Sequence, residues 1–261
     1  MSTHMWLMMP AAIGLLALVS NIILGRQVLR RGVVFIDLAM AQISALAMII
    51  VELYAGFEAS LLSKVLASYL LTLPVAGLLS YLEHRATPHL EAMIGLLYVI
   101  AACVSINVVS VQAHGKELID SLLGGRLLWT DITDVGLVLM VTLSLLWVQW
   151  QRRHWLEGAK FYLLFALAVP PLVINLGVYL EFAALILPAL FALLFRSSFY
   201  WWAAISLGIV GGSAGFLMSL WGDYPVGPSI VLTMAAVGAV GVTVKLASLY
   251  FQRADSRPLS S

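Results

Sequence analysis

The sequence predicts an all-α fold, a polytopic transmembrane helix bundle of eight or nine spans. Two observations predict it. Hydrophobic residues make up 62% of the 261-residue chain and charged residues only 10%, more apolar surface than a water-soluble domain of this size can hide. The apolar residues also come in continuous runs near the roughly 20 residues that cross a bilayer as a helix, not in the alternating pattern of barrel strands. Lipid offers the backbone no hydrogen-bond partner, so each run must pair its own N–H and C=O groups, which selects helix.

The elements follow in order. Trp6 to Leu24 reads as a first span that is retained rather than cleaved. The second, 33–54, follows the basic doublet Arg30-Arg31 and carries Asp37 and Gln42 near its mouth. Further apolar helices are read at 60–82, 92–111 and 134–150. The stretch 161–195 holds two short spans, 161–176 and 179–195, with a break near Asn175-Leu176-Gly177 and an interruption at Pro170-Pro171. The last two are 199–220 and 229–250. That makes nine crossings, or eight if one segment is re-entrant. The chain, 1–261, reads as one transmembrane domain with a short polar tail, 252–261, and its longest polar connection is Gln112 to Asp134.

Cations set the expected sidedness. With Arg26, Arg30 and Arg31 in the cytoplasm, alternation also places there Arg85, Arg152, Arg153, Lys160, Arg196, Lys245, Arg253 and Arg257, eleven of the fourteen Lys and Arg. Only Lys64, Lys116 and Arg126 fall elsewhere. The positive-inside rule then puts the N-terminus outside and the C-terminus inside.

Several chemistries find no support. A net charge of +1 gives no basic surface for nucleic acid. Cys103 is the only cysteine, which excludes an internal disulfide; its place in an apolar run suggests a packing role. His4, His84, His89, His114 and His154 all fall outside the spans and make no zinc motif; His114, on the expected outer side, could meet a solute or a docking partner. Gly211-Gly212-Ser213-Ala214-Gly215 matches a nucleophile-elbow pattern, but sits in an apolar helix without a neighbouring base. Gly208/Gly212 and Gly211/Gly215 read instead as the small-residue face of a helix contact. There is no phosphate-binding loop, so ATP, if used, is bound by another chain.

Ionisable groups at bilayer depth cost roughly 2.5–3.5 kcal/mol each when charged, so the acids Asp37, Glu52, Glu181 and Asp223 matter. Glu52 and Asp223 lie near helix ends, where water can solvate them. Asp37, one turn into its helix, either pairs with Arg30 or Arg31 or serves a polar path. Glu181 lies in a long apolar stretch and either faces a wet cavity or caps the break near Asn175. Gly32-Val33-Val34-Phe35-Ile36-Asp37 and Gly177-Val178-Tyr179-Leu180-Glu181 look alike on helices expected to run in opposite directions. Inverted repeats with discontinuous helices are a transporter design, and the match pairs Asp37 with Glu181. Asp37, Gln42 and Glu181 are the expected substrate-path residues.

Four segments in order resemble the membrane permease of zinc/manganese/iron-type ABC importers: Arg26 to Leu46; Leu90-Glu91-Ala92-Met93-Ile94-Gly95 with Ser121 to Leu128; Gly177 to Leu194, containing Leu185-Ile186-Leu187-Pro188-Ala189; and Asp223 to Leu232. The resemblance implies a type II ABC-importer-like fold and a divalent metal such as zinc or manganese as cargo. It also implies a second permease copy forming a homodimer, a cytoplasmic ATPase subunit, an extracytoplasmic solute-binding protein, and residence in a bacterial inner membrane. The permease itself would not be an enzyme and would need no cofactor. Alternating access would follow from the ATPase pair opening and closing.

Two departures stand out. Family members carry Asp and His four residues apart on the second helix, one face of which then grips the ion. Here Leu38 and Gln42 occupy those positions, and Asp37 is displaced by one residue, about 100° around the helix. An amide is a weaker zinc ligand than imidazole, so the metal set stays unknown. The family's ATPase-docking segment is represented only by Gln151 to Lys160, where Arg152, Arg153, Trp155 and Leu156 are the expected contacts. Trp155 equally fits an interfacial anchor. Two other classes stay open: a secondary transporter with Asp37 and Glu181 as proton- or sodium-coupling carboxylates, and a non-transporting membrane scaffold.

Overall fold

A computed structural model describes residues 5–55, 60–85, 89–111, 115–158, 160–195 and 197–255. Among these there is no strand. The long helices are α1 (Met5–Arg31), α2 (Phe35–Ala55), α3 (Leu61–His84) and α4 (Leu90–Ser110), followed by a short α5 (Gly115–Gly124). Then come α6 (Ile132–Gln151), the five-residue α7 (Arg153–Glu157), α8 (Lys160–Leu176), α9 (Val178–Ala192), α10 (Tyr200–Gly222) and α11 (Val226–Asp255). His4, His114, Ala159, Arg196 and the tail beyond residue 255 lie outside the described residues.

Seven helices are each long and apolar enough to cross a bilayer: α1, α2, α3, α4, α6, α10 and α11. Helices α8 and α9 qualify only together, as a pair bent by 117°. With the pair taken as one bent segment there are eight apolar membrane segments, seven of them long enough to cross alone; a ninth separate crossing has no support among the described residues, since neither half qualifies alone. The bend has a local cause. Gly177 takes φ 79°, a left-handed conformation costly for any other residue. A Cβ there would collide with the backbone of Gly125, and a Cβ on Gly125 would collide with the carbonyl of Leu176. Arg126 N then donates to Asn175 O at 3.1 Å, satisfying a carbonyl at the end of α8.

Side-chain register fixes helix direction. Asn21 meets Glu181 and Gly25 meets Leu185, so α1 and α9 run parallel. Phe35 meets Glu91 and Gln42 meets Ser105, so α2 and α4 run parallel. Lys64 meets Glu52 and Ser68 meets Ser44, so α2 and α3 are antiparallel. The bent pair begins and ends at one end of the bundle: Arg31 lies over the Phe161 ring at the start of α8, and Ala192 clusters with Ile22 and Tyr200 at the end of α9. Its vertex points away from the Arg30-Arg31 end. Two short helices thus bring their termini into the bundle interior.

Small residues set the closest approaches. Gly211 and Gly215 press against α11: a Cβ at Gly211 would lie 2.7 Å from Met234 Cα, and one at Gly215 would collide with Ile230. Thr233 Oγ1 donates across to Gly211 O at 2.7 Å. Gly208 instead meets Leu18 of α1, and Gly212 meets nothing. Cys103 is exposed on α4, which corrects the expected packing role. Glu52 is not simply solvated; it pairs with Lys64 at 2.6 Å, with both side chains mostly covered.

Two outcomes are expected in thermal unfolding of the detergent-solubilised protein. Gly215→Leu overpacks the α10–α11 contact and costs about 1–3 kcal/mol or more, whereas Gly212→Leu leaves the midpoint near that of the parent. Asp131 caps α6, accepting from Thr133 N at 2.8 Å and Asp134 N at 3.1 Å. Hydrogen bonds from the Thr133 hydroxyl and the Asp134 backbone hold its carboxyl below the ordinary 3.8. A carboxyl whose value is lowered in the folded state stabilises above its unfolded value and loses that contribution as pH falls through the folded one. Asp131→Ala should therefore cost ~1 kcal/mol near neutrality, a difference that shrinks as pH drops below 3.8.

Candidate functional site

Where α1, α2 and α9 meet, three polar side chains are fully buried: Asn21, Asp37 and Glu181, each with 0% exposure. Each position has a local origin. Gly32 at φ 69° turns the chain out of α1, and Phe35 N, at the start of α2, donates to Glu91 Oε1 of α4 at 3.0 Å. That carboxylate caps α2 from a neighbouring helix, leaving Asp37 in the first turn free to point elsewhere. Gly177 does the corresponding job for α9: its carbonyl accepts from Glu181 N at 3.0 Å, so Glu181 also sits in a first turn. The paired glycine–acid segments therefore share a left-handed glycine, a helix start and a buried carboxylate.

Asn21 Nδ2 donates to Glu181 Oε2 at 3.0 Å. The remaining acceptors have no protein partner: Asn21 Oδ1, both Asp37 oxygens and Glu181 Oε1. Asp37 and Glu181 are close enough for each to feel the other's charge. Among the described residues Asn21 thus serves Glu181 and leaves Asp37 without a donor. Buried carboxylates are tolerated only when a positive charge pairs with them or a proton neutralises them. Among the described residues no group of three or more His, Cys, Asp or Glu converges as a metal-binding set; the donors are two carboxylates and an amide.

The other expected residues fall as follows. Asp37 does not pair with the basic doublet: Arg31 binds Glu83 at 2.6 Å, and Arg30 lies 4.0 Å from Glu157. Gln42 is buried, but its Nε2 donates to Ser105 Oγ of α4 at 3.3 Å rather than joining the acids. Leu38 opens onto a half-open groove of about 480 Å³ lined by Tyr179, Phe182, Ile186 and Val231, all apolar in their contact surfaces. In the connection after α6, Arg152 and Arg153 are exposed and Trp155 is half-buried. Trp155 stacks edge-on against Trp147 at 6.4 Å, with the Lys160 ammonium 4.6 Å from its ring. Leu156 is fully buried, which corrects its expected place on a docking surface; it anchors α7 to the core.

Sequence reasoning missed Asn21. The available signal was the polar pair Ser20-Asn21 inside an otherwise apolar first span. Ser20 bonds Thr142 of α6 at 3.0 Å, so the pair serves two different helices.

The fold is an all-helical bundle whose long helices are apolar enough to make it a multi-pass membrane protein. The chain is similar to PsaBC from Streptococcus pneumoniae, solved in complex with a Fab, with a TM-score of 0.72 and 17% identity over 91% of each chain. At that identity the likeness is one of fold. No protein-family model matches the sequence.

A buried carboxylate without a partner costs stability. Asp37→Asn is expected to raise the thermal midpoint of the protein. Asn21→Ala, which removes Glu181's only side-chain donor among the described residues, is expected to lower the midpoint, at a cost of about 1–3 kcal/mol in stability.

Proposed function

We propose that the chain is the membrane-spanning permease subunit of an ATP-binding-cassette importer whose cargo is a divalent cation. The observation that carries this reading is the Asn21–Asp37–Glu181 cluster at the meeting of α1, α2 and α9, with its four unpartnered acceptor atoms. The four sequence segments in family order and the ABC-permease-like fold support the class. The cargo is read from chemistry: carboxylate and amide oxygens suit a hard cation such as manganese better than zinc. Asp37 and Glu181 line the path, with Gln42 as a helix contact beside it. The alignment of Leu38 and Gln42 with the family's ligand positions supports a path displaced around α2 toward Asp37.

ATP would be hydrolysed by a separate cytoplasmic chain that meets Arg152, Arg153 and Trp155. A second permease copy and an extracytoplasmic binding protein complete the assembly, in a bacterial inner membrane with the N-terminus outside and the C-terminus in the cytoplasm. A second reading, an ion-coupled secondary transporter, draws on one feature: two neighbouring carboxylates can exchange a proton as well as a metal.

Uptake assays in whole cells separate the two. Manganese uptake that survives collapse of the ion gradients but stops on ATP depletion supports the importer; the reverse supports the secondary transporter. In either case Asp37→Asn and Glu181→Gln are expected to lower uptake by at least about ten-fold, equivalent to ~1.4 kcal/mol of cation binding, at unchanged membrane abundance. Unchanged uptake in both would remove this cluster from the path.

A further inference from the structure

We infer that Arg31 is the positioning residue that ties the cytoplasmic α7 segment to the polar site, with α1 as the rod between them. This rests on the importer reading above.

Arg31 ends α1, and its side chain is only 13% exposed. Its guanidinium touches three other elements at once. Nη1 binds Glu83 Oε1 of α3 at 2.6 Å. Nη2 donates to the carbonyls of Leu156 at 3.3 Å and Gly158 at 2.8 Å, where α7 ends. The Phe161 ring of α8 lies 4.7 Å from the guanidinium carbon, and the Tyr162 ring 5.7 Å. A planar fork with five N–H donors and two stacking faces can make this set of contacts together; an ammonium cannot. The neighbouring pairs that also reach α7, Arg30–Glu157 and Arg153–Glu157, are about half exposed, and exposed pairs contribute little. Among these described ties, Arg31 and the buried Leu156 hold α7 most firmly.

The same helix holds the other end. Asn21 is ten residues earlier in α1, about 15 Å along the axis at 1.5 Å per residue, and it donates to Glu181. No proline lies between them; Pro10 is the only one inside α1. Between the two, Gly25 lets α1 sit directly on α9, since a Cβ there would collide with the backbone of Leu185. A push on α7 therefore moves Arg31, and a displaced α1 shifts Asn21 against Glu181. The acceptor atoms that hold the cargo change their spacing as the ATPase engages.

The test uses the permease copurified with its ATPase and reconstituted in vesicles. Mn²⁺ entry is read with an enclosed chelating dye, and phosphate release is read in parallel. Arg31→Ala is expected to bind the ATPase and hydrolyse ATP near the parent rate, while Mn²⁺ carried per ATP falls at least about five-fold, the low end of usual coupling. Arg31→Lys, which keeps the Glu83 pair alone, should fall between Ala and the parent. Glu83→Gln, the milder variant should Arg31→Ala fail to insert, should lower the same ratio. A parental Mn²⁺-to-ATP ratio in Arg31→Lys and Glu83→Gln overturns the inference and leaves the importer reading standing. A parent complex that shows no ATP-driven Mn²⁺ entry overturns both.

Discussion

Water is missing from the middle of a bilayer, and that absence shapes every other feature of this molecule. Each backbone polar group must be satisfied by the chain itself, which makes the long elements helical. The same condition turns a handful of polar side chains into the informative ones. Most of them are quieted locally: Ser68, Thr72 and Ser105 donate back to carbonyls four residues earlier. Ser20 and Thr142 satisfy each other across α1 and α6. Glu52 and Lys64 neutralise each other at one end of α2 and α3. Asp37, with neither oxygen partnered, and Glu181, with Oε1 unpartnered, are the two fully buried acids without a cationic partner among the described residues.

The site depends on how α8 ends and α9 begins. A straight helix would carry Glu181 past the bundle interior on a continuous rod. The left-handed Gly177 prevents that, and Gly125 and Arg126 close over the break from the α5–α6 connection; Pro170 and Pro171 do not interrupt the helix as expected, since α8 runs through them to Leu176. Two glycines are needed at that crossing because either Cβ would strike the opposing backbone. The result places a helix start, normally found at a membrane surface, inside the protein, where irregular backbone is tolerated. The α1–α2 turn repeats the device at the basic end, and the two first-turn acids converge from opposite directions.

Geometry also separates residues that a linear motif would group. Gln42 and Asp37 are five positions apart on α2, roughly 140° around the helix, so one faces α4 and the other faces α1 and α9. Trp155 and Leu156 are adjacent, yet one stacks at the surface with Trp147 and Lys160 while the other is sealed in the core. Arg31 was readable as part of a basic doublet, but its partners come from positions 83, 156, 158 and 161. No local pattern connects them.

By itself the sequence determined the solvent, the helical class, the principal spans, the break near Gly177 and the close approach at Gly211 and Gly215 of α10, and it nominated Asp37 and Glu181 as candidates. All of these are written in composition, run length or short local repeats, because lipid solvation and backbone sterics act over a few residues at a time. Tertiary structure alone decided that the bent pair is not two separate spans, that Asn21 is the donor to Glu181, that Gln42 belongs to a helix contact, and that Arg31 clasps α7. Those outcomes depend on which faces meet across 50 to 160 positions of chain. Side-chain direction around a helix, set by packing against distant elements, makes that choice.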